Sequence, residues 1–404
     1  MANVIELPSR DLTEYDLLPG YIPRSNSPDS IDLSAPLRKY SDGEEDGRYR
    51  IRVGILSASM QCISGTPENI SSNLGMYEFT GAAGLVNCTQ PLERQVRIVK
   101  RLRETGATII PAAIDTHDYK VKVPSLVDAG ANLLFVDTSQ GYTEFQKETI
   151  QWSKSEFRAL PVIGGNIVTA EGFHFLVDKN RCNSDGVKVG MGVGAGCITS
   201  DVLGVSRKQA TAIMDVARAR DGYYKKTGIY VPIIADGGIK TFSDITKAYA
   251  FGADAVMVGR LIAGCPETPN PVYQVRLLRD NHVVYEGQAK EFWYEASRRA
   301  RMLSEGPIRD YSYRYEEGKE GWVKVTLPMK EFLNGGFRKV RDAVRKAGCQ
   351  NIPELHENAV LELAMRTTDP NDPDIAIWDS KYVQVFYNSE WIPSTELPQH
   401  TTQR

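Results

Sequence analysis

The middle of the chain alternates between short apolar runs and segments with a helical repeat of apolar positions. Eight runs are nearly continuous in apolar, largely β-branched residues, which predicts strands buried on both faces of a parallel sheet. Between the second and third runs, Leu92, Val96, Val99 and Leu102 recur at three- and four-residue spacing among Lys and Arg, which predicts an amphipathic helix. The predicted strands start at residues 51, 83, 107, 132, 160, 186, 231 and 254.

Eight strand-then-helix units predict an α/β fold of the (β/α)8 TIM-barrel class. A doubly wound parallel sheet is the alternative, but a barrel better explains why polar and glycine residues follow so many of the runs. We expect an N-terminal arm at residues 1–50, which are rich in Ser, Pro, Asp and Arg, and a catalytic barrel at residues 51–366. The barrel includes a flap at residues 285–325, and residues 367–404 are expected to form an extended C-terminal tail.

The region after the last predicted strand is less regular. Residues 270–330 carry charged and aromatic side chains with little periodicity, so we predict a long loop or flap there. Residues 335–367 show a helical pattern that predicts two further helices.

The composition is that of an ordinary folded protein. The chain has 404 residues, of which 42% are hydrophobic, and a formal net charge of -3. This near-neutral balance favours neither nucleic acid nor a membrane surface as a partner, and no apolar run reaches the roughly 18 residues of a transmembrane helix. We therefore expect a cytoplasmic protein. The six cysteines lack CxxC and zinc-ligand spacing, which indicates reduced thiols, one of which can be reactive.

Glycine-rich turns follow the seventh and eighth predicted strands, where barrels of this class often bind phosphate. Gly237, Gly238 and Gly259 let backbone N–H groups approach an anion, and each turn precedes a predicted helix whose N-terminus favours negative charge. Arg260 adds a charge-assisted donor, whereas the carboxylate of Asp236 suits ribose hydroxyls. Tight turns alone are the simpler interpretation, but two such turns on adjacent strands favour a phosphate site.

The stretch VGMGVGAGCITSD follows the sixth predicted strand and places glycines around Cys197. A dinucleotide fingerprint on Gly192, Gly194 and Gly196 would need a helix that starts inside the motif, and we predict no helix directly after Cys197. A buried cysteine that acts as a small hydrophobe is the commonest fate of a free thiol. The neighbouring glycines and hydroxyl residues favour instead a loop that exposes Cys197 as a nucleophile.

Taken together, these segments resemble the IMP dehydrogenase and GMP reductase family. The resemblance runs in order from about Tyr15 to Arg366. Dehydrogenases of the family usually insert a regulatory CBS pair after the second helix, and this sequence passes straight through that point. The resemblance rests on the motifs YDLLPGYIP, SASM, AAIDTHDYK, VIGGNIVTAEG, GVKVGMGVGAGCITSD, PIIADGGIKTFSDITKA and AVMVGRLIAG.

The resemblance implies a covalent mechanism on a purine nucleoside 5'-monophosphate. Cys197 attacks purine C2, and a hydride passes between C2 and a nicotinamide cofactor, NADPH or NAD. Thr199 lies near the reacting centre, Gly192, Gly194 and Cys197 are expected to hold K+ through their carbonyls, and the assembly is expected to be a homotetramer. The implied substrate contacts are Met60, Asn166, Asp236, Gly237, Gly238, Gly259, Arg260, Tyr285, Gly287 and Gln288. The implied cofactor contacts are Asp137, Thr138, Ser139, Gly190 and Gly192.

Features after the barrel favour the reductase direction, in which ammonia leaves C2 of GMP before the hydride arrives. Glu291 stands where reductases carry a glutamate that works with the loop threonine, and YRYEEGKEGWVKV resembles a reductase run. A solvated charge beside Lys290 is the other interpretation of Glu291.

Other observations leave the reaction open. The motifs FVDTSQG and AAIDTHD look like the dehydrogenase version, so an IMP dehydrogenase without CBS domains is one alternative, and a non-catalytic nucleotide-binding barrel is another. A phosphosugar isomerase or aldolase barrel would explain the phosphate turns but gives the thiol no task. Asn87 and Cys88 replace a usual His-Lys pair, and Gln288 replaces a usual methionine beside the base. These replacements suggest a guanine-type base that is modified, such as a 7-deazaguanine.

Overall fold

A computed structural model describes residues 4–45, 47–194, 199–305, 318–364 and 377–398 of the chain. The strands of the barrel region and the arm are β1 (Tyr15–Leu17), β2 (Ala35–Pro36), β3 (Tyr40–Ser41), β4 (Arg50–Ile51), β5 (Ile55–Ser57), β6 (Pro111–Ile114), β7 (Leu133–Val136), β8 (Val162–Ile167), β9 (Gly186–Val189), β10 (Ile229–Tyr230), β11 (Ile233–Asp236) and β12 (Ala255–Val258). The later strands are β13 (Val272–Arg279), β14 (His282–Trp293), β15 (Glu320–Lys324), β16 (Leu361–Leu363), β17 (Val383–Tyr387) and β18 (Glu390–Pro393).

The α-helices follow the strands as the apolar repeats predict. They are α1 (Ser71–Thr80), α2 (Leu92–Glu104), α3 (Tyr119–Ala129), α4 (Glu144–Glu156), α5 (Ala170–Val177), α6 (Thr199–Leu203), α7 (Gln209–Thr227), α8 (Phe242–Ala250), α9 (Arg260–Ala263), α10 (Arg298–Glu305), α11 (Met329–Lys346) and α12 (Ile352–Asn358). The amphipathic helix predicted from Leu92 is confirmed, and so are the two helices after residue 335, although the first of them already begins at Met329. No helix within the described ranges combines the length and apolar character that crossing a membrane requires.

A seven-stranded parallel sheet forms the centre of the molecule, in the order β5-β12-β11-β9-β8-β7-β6. The segment predicted as the second strand lies between the two ends of this order. It forms single parallel bridges from Ala82 and Val86 to residues beside or in β6, and the N–H of Leu85 donates to Ser57 Oγ at 2.9 Å. The strands therefore follow one another cyclically in chain order, so the predicted TIM-barrel class is confirmed and the doubly wound alternative is not.

Each barrel strand buries side chains on both of its faces. Leu133 and Phe135 of β7 belong to a cluster that also contains Ile163 and Ile234 from other barrel strands. Leu134 and Val136, which alternate with them, belong to the larger cluster that includes helix side chains. Because successive strand residues point to opposite faces, this double burial explains why the runs are apolar without alternation.

The arm before the barrel contributes three short strands, two of which, β1 and β3, pair with segments far away in sequence. β1 pairs with β16, β2 pairs with β4 and β3 pairs with β10, all antiparallel. The arm is thus irregular but packed, and Leu12, Leu33 and Leu37 are among its fully buried residues. The domain boundaries at residues 50 and 366 stay a prediction.

The region after the barrel differs from the predicted loop. β13 and β14 form a long hairpin within a five-stranded sheet of order β15-β14-β13-β17-β18. The prediction of a loop is therefore wrong for the described part of residues 270–330. Val275, Leu277 and Trp322 pack in a cluster of this sheet, whereas Phe292 and Val323 pack in the main core. Much of the hairpin is exposed, and its pairing partner Val383–Tyr387 lies about a hundred residues later in the sequence. The hairpin therefore has neither a continuous apolar run nor a nearby partner that the sequence pattern would reveal.

Candidate functional site

A cavity of about 330 Å³ opens at the carboxyl ends of the barrel strands. This is the end at which TIM barrels carry their active sites, because the loops that follow the strands converge there. The lining residues come from the segments after β5, β7, β9, β11 and β14, and from β8, β11 and β12 themselves. They are residues 58–60, Asp137, Ser139, Asn166, residues 190–194, Asp236, Gly237, Met257 and residues 294–296.

A buried lysine ties together two carboxylates on the floor of this cavity. Lys188 of β9 is fully buried, and its ammonium donates to Asp137 Oδ1 and to Asp236 Oδ2, the latter at 3.3 Å. Burial disfavours the charge of Lys188, but the two carboxylates outweigh it and hold the pKa of this lysine above its ordinary value. The sequence reasoning missed Lys188, and the available signal was a lysine inside the otherwise apolar run GVKVGM.

Asn166 completes the floor. Its Nδ2 donates to the carbonyl of Gly190 at 2.9 Å and to Asp236 Oδ2 at 3.0 Å. Both described donors to the Asp236 carboxylate therefore use Oδ2, which leaves Oδ1 for a ligand hydroxyl. The Oδ1 of Asn166 is buried and has no hydrogen-bond partner among the described residues. A buried acceptor of this kind is costly unless a donor from a ligand or water satisfies it.

The glycines predicted to contact the nucleotide and the cofactor pack closely against neighbouring residues at the cavity. A Cβ atom at Gly190 would lie 2.0 Å from the carbonyl oxygen of Asp236, and φ of Gly190 is +146°, so only glycine fits there. Gly237, with φ +90°, lies close enough to Val193 that a Cβ would be 3.1 Å from its Cγ2. Gly238 packs against Gln209 in the same way. The turn after β11 and the turn after β9 thus form one wall.

The loop that carries the predicted nucleophile is only partly described. Gly192 and Gly194, the predicted K+ ligands, line the cavity, and Cys197 lies outside the described residues. Helix α6 begins at Thr199, so the prediction that no helix follows Cys197 directly is wrong. This helix starts after the glycines rather than among them, which is not the arrangement that a dinucleotide fingerprint requires.

The other five cysteines are poor nucleophiles in this structure. Burial raises the pKa of Cys62 and of Cys182 to about 12 and that of Cys265 to about 11. It also raises the pKa of Cys88 and Cys349 above the ordinary value. These thiols stay protonated at neutral pH, whereas thiolates are the reactive form.

Three residues predicted to touch the nucleotide lie on the hairpin instead of the cavity lining. Tyr285, Gly287 and Gln288 are paired along β14 with residues of β13. The ring of Tyr285 packs on Trp378 at 4.8 Å, and its hydroxyl donates to the carbonyl of Gln288 at 3.1 Å. The structure does not bring these three residues to Asp236, and their predicted roles stay predictions.

Two residues after β12 divide between two cavities. Gly259 adjoins the first, because a Cβ there would lie 2.7 Å from the sulfur of Met60 in the cavity lining. Arg260 lines a neighbouring cavity of about 680 Å³ together with Lys240 and Lys324. The turns after β11 and β12 therefore border two cavities, and the basic side chains line the second of them.

The remaining predictions concern Thr138 and Glu291, neither of which lines the cavity. The hydroxyl of Thr138 lies 3.0 Å from the carbonyls of Gln140 and Gly165, so it shapes the turn that carries Asp137. Glu291 forms a two-point ion pair with Arg299, one contact of which measures 2.8 Å. This pairing agrees with neither a free catalytic carboxylate nor a solvated charge.

A carboxyl that the sequence reasoning missed lines the cavity instead. Glu295 Oε1 accepts from the N–H of Gln61 and from Asn87 Nδ2, the latter at 3.1 Å, and Oε2 accepts from Thr89 Oγ1 at 2.8 Å. Burial raises the pKa of Glu295 to about 7, although the hydrogen bonds from Gln61, Thr89 and Asn87 act in the opposite direction. The sequence signal for this carboxyl was the replacement of the usual His-Lys pair by Asn87 and Cys88, because Asn87 donates a hydrogen bond to Glu295.

Comparisons with known proteins agree on one family. The profile of the IMP dehydrogenase / GMP reductase domain matches residues 13–369. The inosine-5'-monophosphate dehydrogenase of Tritrichomonas foetus is 36% identical over 258 residues, which are 63% of this chain and 49% of that protein. The Aquifex aeolicus protein of the same name is 35% identical over 266 residues, 63% of this chain and 50% of that protein. The chain thus spans about half the length of the curated relatives it matches.

Replacing Lys188 by methionine should strongly destabilise the fold. Lys188→Met leaves the carboxylates of Asp137 and Asp236 facing each other without their cation, and breaking a buried ion pair in this way costs about 3–5 kcal/mol. Denaturant unfolding measures the loss. The matched control is Lys147→Met, which removes a surface pair with Glu144 and should cost at most about 1 kcal/mol. Equal losses in the two variants would show that the floor does not depend on this ammonium.

The raised pKa of Glu295 predicts a pH dependence of stability. Its pKa is about 7 in the folded chain against an ordinary value of 4.5, so the folded state holds the proton more tightly. The resulting stabilisation is complete below the lower value and is lost as pH rises through the higher one. The free energy of unfolding of the parent, relative to that of Glu295→Gln, should therefore fall between pH 5 and pH 7.5. A constant difference across that range would contradict the shift.

Proposed function

The chain belongs to the IMP dehydrogenase / GMP reductase family, and from that premise we propose that it is a nicotinamide-dependent oxidoreductase acting at C2 of a purine nucleoside 5'-monophosphate. The observation that carries the proposal is the floor of the cavity. There Lys188 holds Asp137 and Asp236 beside Asn166, and the loop that leads to Cys197 forms the adjoining wall.

The proposed substrate contacts follow the chemistry of these groups. The free oxygen of Asp236 accepts a ribose hydroxyl, and the backbone N–H groups at Gly237, Gly238 and Gly259, with Arg260, bind the phosphate. Cys197 is the proposed nucleophile, because the described cysteines are buried thiols of raised pKa. Its thiolate is proposed to add to C2. In the reductive direction the bond from C2 to the amino nitrogen then breaks and releases ammonia, a hydride adds to C2, and the carbon–sulfur bond breaks to release the product and restore the thiolate. Asn166 lies beside the proposed reacting centre, and Thr199 is proposed to act in the same loop.

The cofactor is proposed to occupy the side of the cavity that Asp137 and Ser139 form. Gly190 and Gly192 line the same cavity, and because neither carries a side chain their segment packs closely on Asp236 and Ser206 and presents its backbone to the proposed cofactor. A nicotinamide bound there supplies or accepts the hydride at C2. The buried, partner-free Oδ1 of Asn166 fits an amide or hydroxyl donor from either bound molecule. NADPH as the preferred cofactor, K+ on the carbonyls of the Cys197 loop and a homotetramer are further parts of the proposal.

The proposed direction is reductive deamination of a guanine-type nucleotide, GMP or a 7-deazaguanine relative. It rests on the reductase-like run at the end of the predicted flap, residues 313–325, part of which forms β15. Glu291 contributes less to this argument than its sequence position suggested, because it is paired with Arg299. The second candidate is oxidation of IMP to XMP with NAD, which the names of the curated relatives favour.

Two assays decide between the directions. The chain is mixed with GMP and NADPH, and separately with IMP and NAD, and the absorbance of the reduced nicotinamide is followed. We expect a loss of absorbance with GMP and NADPH and no gain with IMP and NAD. A gain in the second mixture alone would establish the dehydrogenase direction, and nucleotide binding without turnover in either mixture would favour a non-catalytic barrel.

Removing the proposed nucleophile should separate chemistry from binding. Cys197→Ala is expected to lower the rate of turnover by a factor on the order of 10³ or more, while calorimetry still shows nucleotide binding, because the phosphate and ribose contacts lie on other segments. Cys88→Ala is the control and should retain turnover. Substantial activity in Cys197→Ala would place the nucleophile elsewhere.

A further inference from the structure

We propose that Glu295 is a specificity-determining residue that selects a purine base bearing an amino group. The carboxylate would accept an N–H of that amino group through a lone pair that its protein partners leave free. This inference rests on the proposed function, in that it takes the cavity to bind a purine nucleoside monophosphate.

The carboxylate of Glu295 has one acceptor position that its described hydrogen-bond donors do not fill. An ionised carboxylate offers about four lone-pair positions on its two oxygens. Oε1 receives two donors, Gln61 N–H and Asn87 Nδ2, whereas Oε2 receives only the Thr89 hydroxyl. One position on Oε2 is therefore left, and Glu295 belongs to the cavity lining. A ligand in the cavity can fill that position only with a donor.

The charge of Glu295 points to the same kind of ligand. Asp137 and Asp236 share Lys188, and Glu291 is paired with Arg299. No cationic side chain of the described residues forms an ion pair with Glu295 within 4.0 Å, and the donors that these residues supply to its carboxyl are neutral. A ligand that adds an N–H is attracted, whereas a ligand that presents a carbonyl oxygen there brings two sets of lone pairs together.

The partners of Glu295 fix the direction of its carboxylate. Asn87 is fully buried, and its Oδ1 accepts from the backbone N–H of Thr89 at 2.7 Å and lies 3.0 Å from the Thr89 hydroxyl. The amide of Asn87 can therefore present only its Nδ2 to Glu295. Asn87 and Thr89 are positioning residues in this arrangement. Asn87 is also one of the two positions at which the sequence departs from the usual His-Lys pair, so this departure and Glu295 are in direct contact.

GMP and IMP test this inference, because their bases differ only in the group at C2. GMP carries an amino group at C2, and IMP carries hydrogen at the same atom. The dissociation constants of both are measured by calorimetry at pH 8.0, where Glu295 is mostly ionised, on the full chain without cofactor. We expect the parent to bind GMP more tightly than IMP. In Glu295→Gln that preference should fall by roughly 10- to 100-fold, the ratio expected for a hydrogen bond to a charged group.

The control variant is Glu286→Gln, on strand β14, which precedes Glu295. Glu286 is exposed and paired with Arg276 at 2.5 Å, so this variant should keep the parent's ratio of the two dissociation constants. Glu295→Asp withdraws the carboxylate by one methylene while keeping its charge, and it should also lose the preference. It serves as the second test if the glutamine variant folds poorly, which thermal unfolding reveals.

The possible results separate the inference from the function on which it rests. A parent that binds IMP as tightly as GMP, or a ratio that is unchanged in both Glu295 variants, overturns the role of Glu295 and leaves the family's nucleotide site in place. A parent that binds neither nucleotide overturns the proposed function, and the inference with it.

Discussion

The cavity depends on one buried ammonium. Lys188 connects a carboxylate that follows β7 with one at the end of β11, across the intervening strand β8. Its stem passes so close to β8 that a Cβ at Gly165 would lie 2.6 Å from its own Cβ. A glycine in the middle of a strand is costly, and here it makes room for the only cation that the described floor of the cavity contains.

This constraint also sets what the floor can bind. One ammonium between two carboxylates leaves a net negative charge, and Asn166 adds a donor to the oxygen that Lys188 already contacts. The remaining oxygen of Asp236 therefore suits hydroxyl donors and repels phosphate. In the proposed function the phosphate therefore belongs farther out, where the glycine turns offer backbone N–H groups and Arg260 offers charge. The proposed order of ribose inside and phosphate outside is the one that this charge distribution favours.

The sequence predicts the barrel well because burial on both faces leaves continuous apolar runs, as at Leu133–Val136. It predicts the position of the site through the rule that function follows the strand ends. The sequence does not predict the hairpin, because its partner strand lies far along the chain. It does not predict the role of Lys188 either, because a single lysine in an apolar run does not indicate its ion-pair partners. The sequence did not predict Glu295, because the family resemblance places the base contacts around Gly287 on β14. Residues 294–296, which follow that strand, line the cavity instead.

The floor and the base-facing wall belong to different parts of the fold. The floor is built on barrel strands whose registers are fixed by the barrel core. Glu295 follows β14. The middle of this strand contributes Ala289 to the separate cluster around Trp322, whereas its last residues, Phe292 and Trp293, pack in the main core. Glu295 contacts Gln61, Asn87 and Thr89 and takes no part in the ion pairs of Lys188. In the proposed arrangement, a substitution of Glu295 therefore changes the base contact without removing an ion pair of the floor.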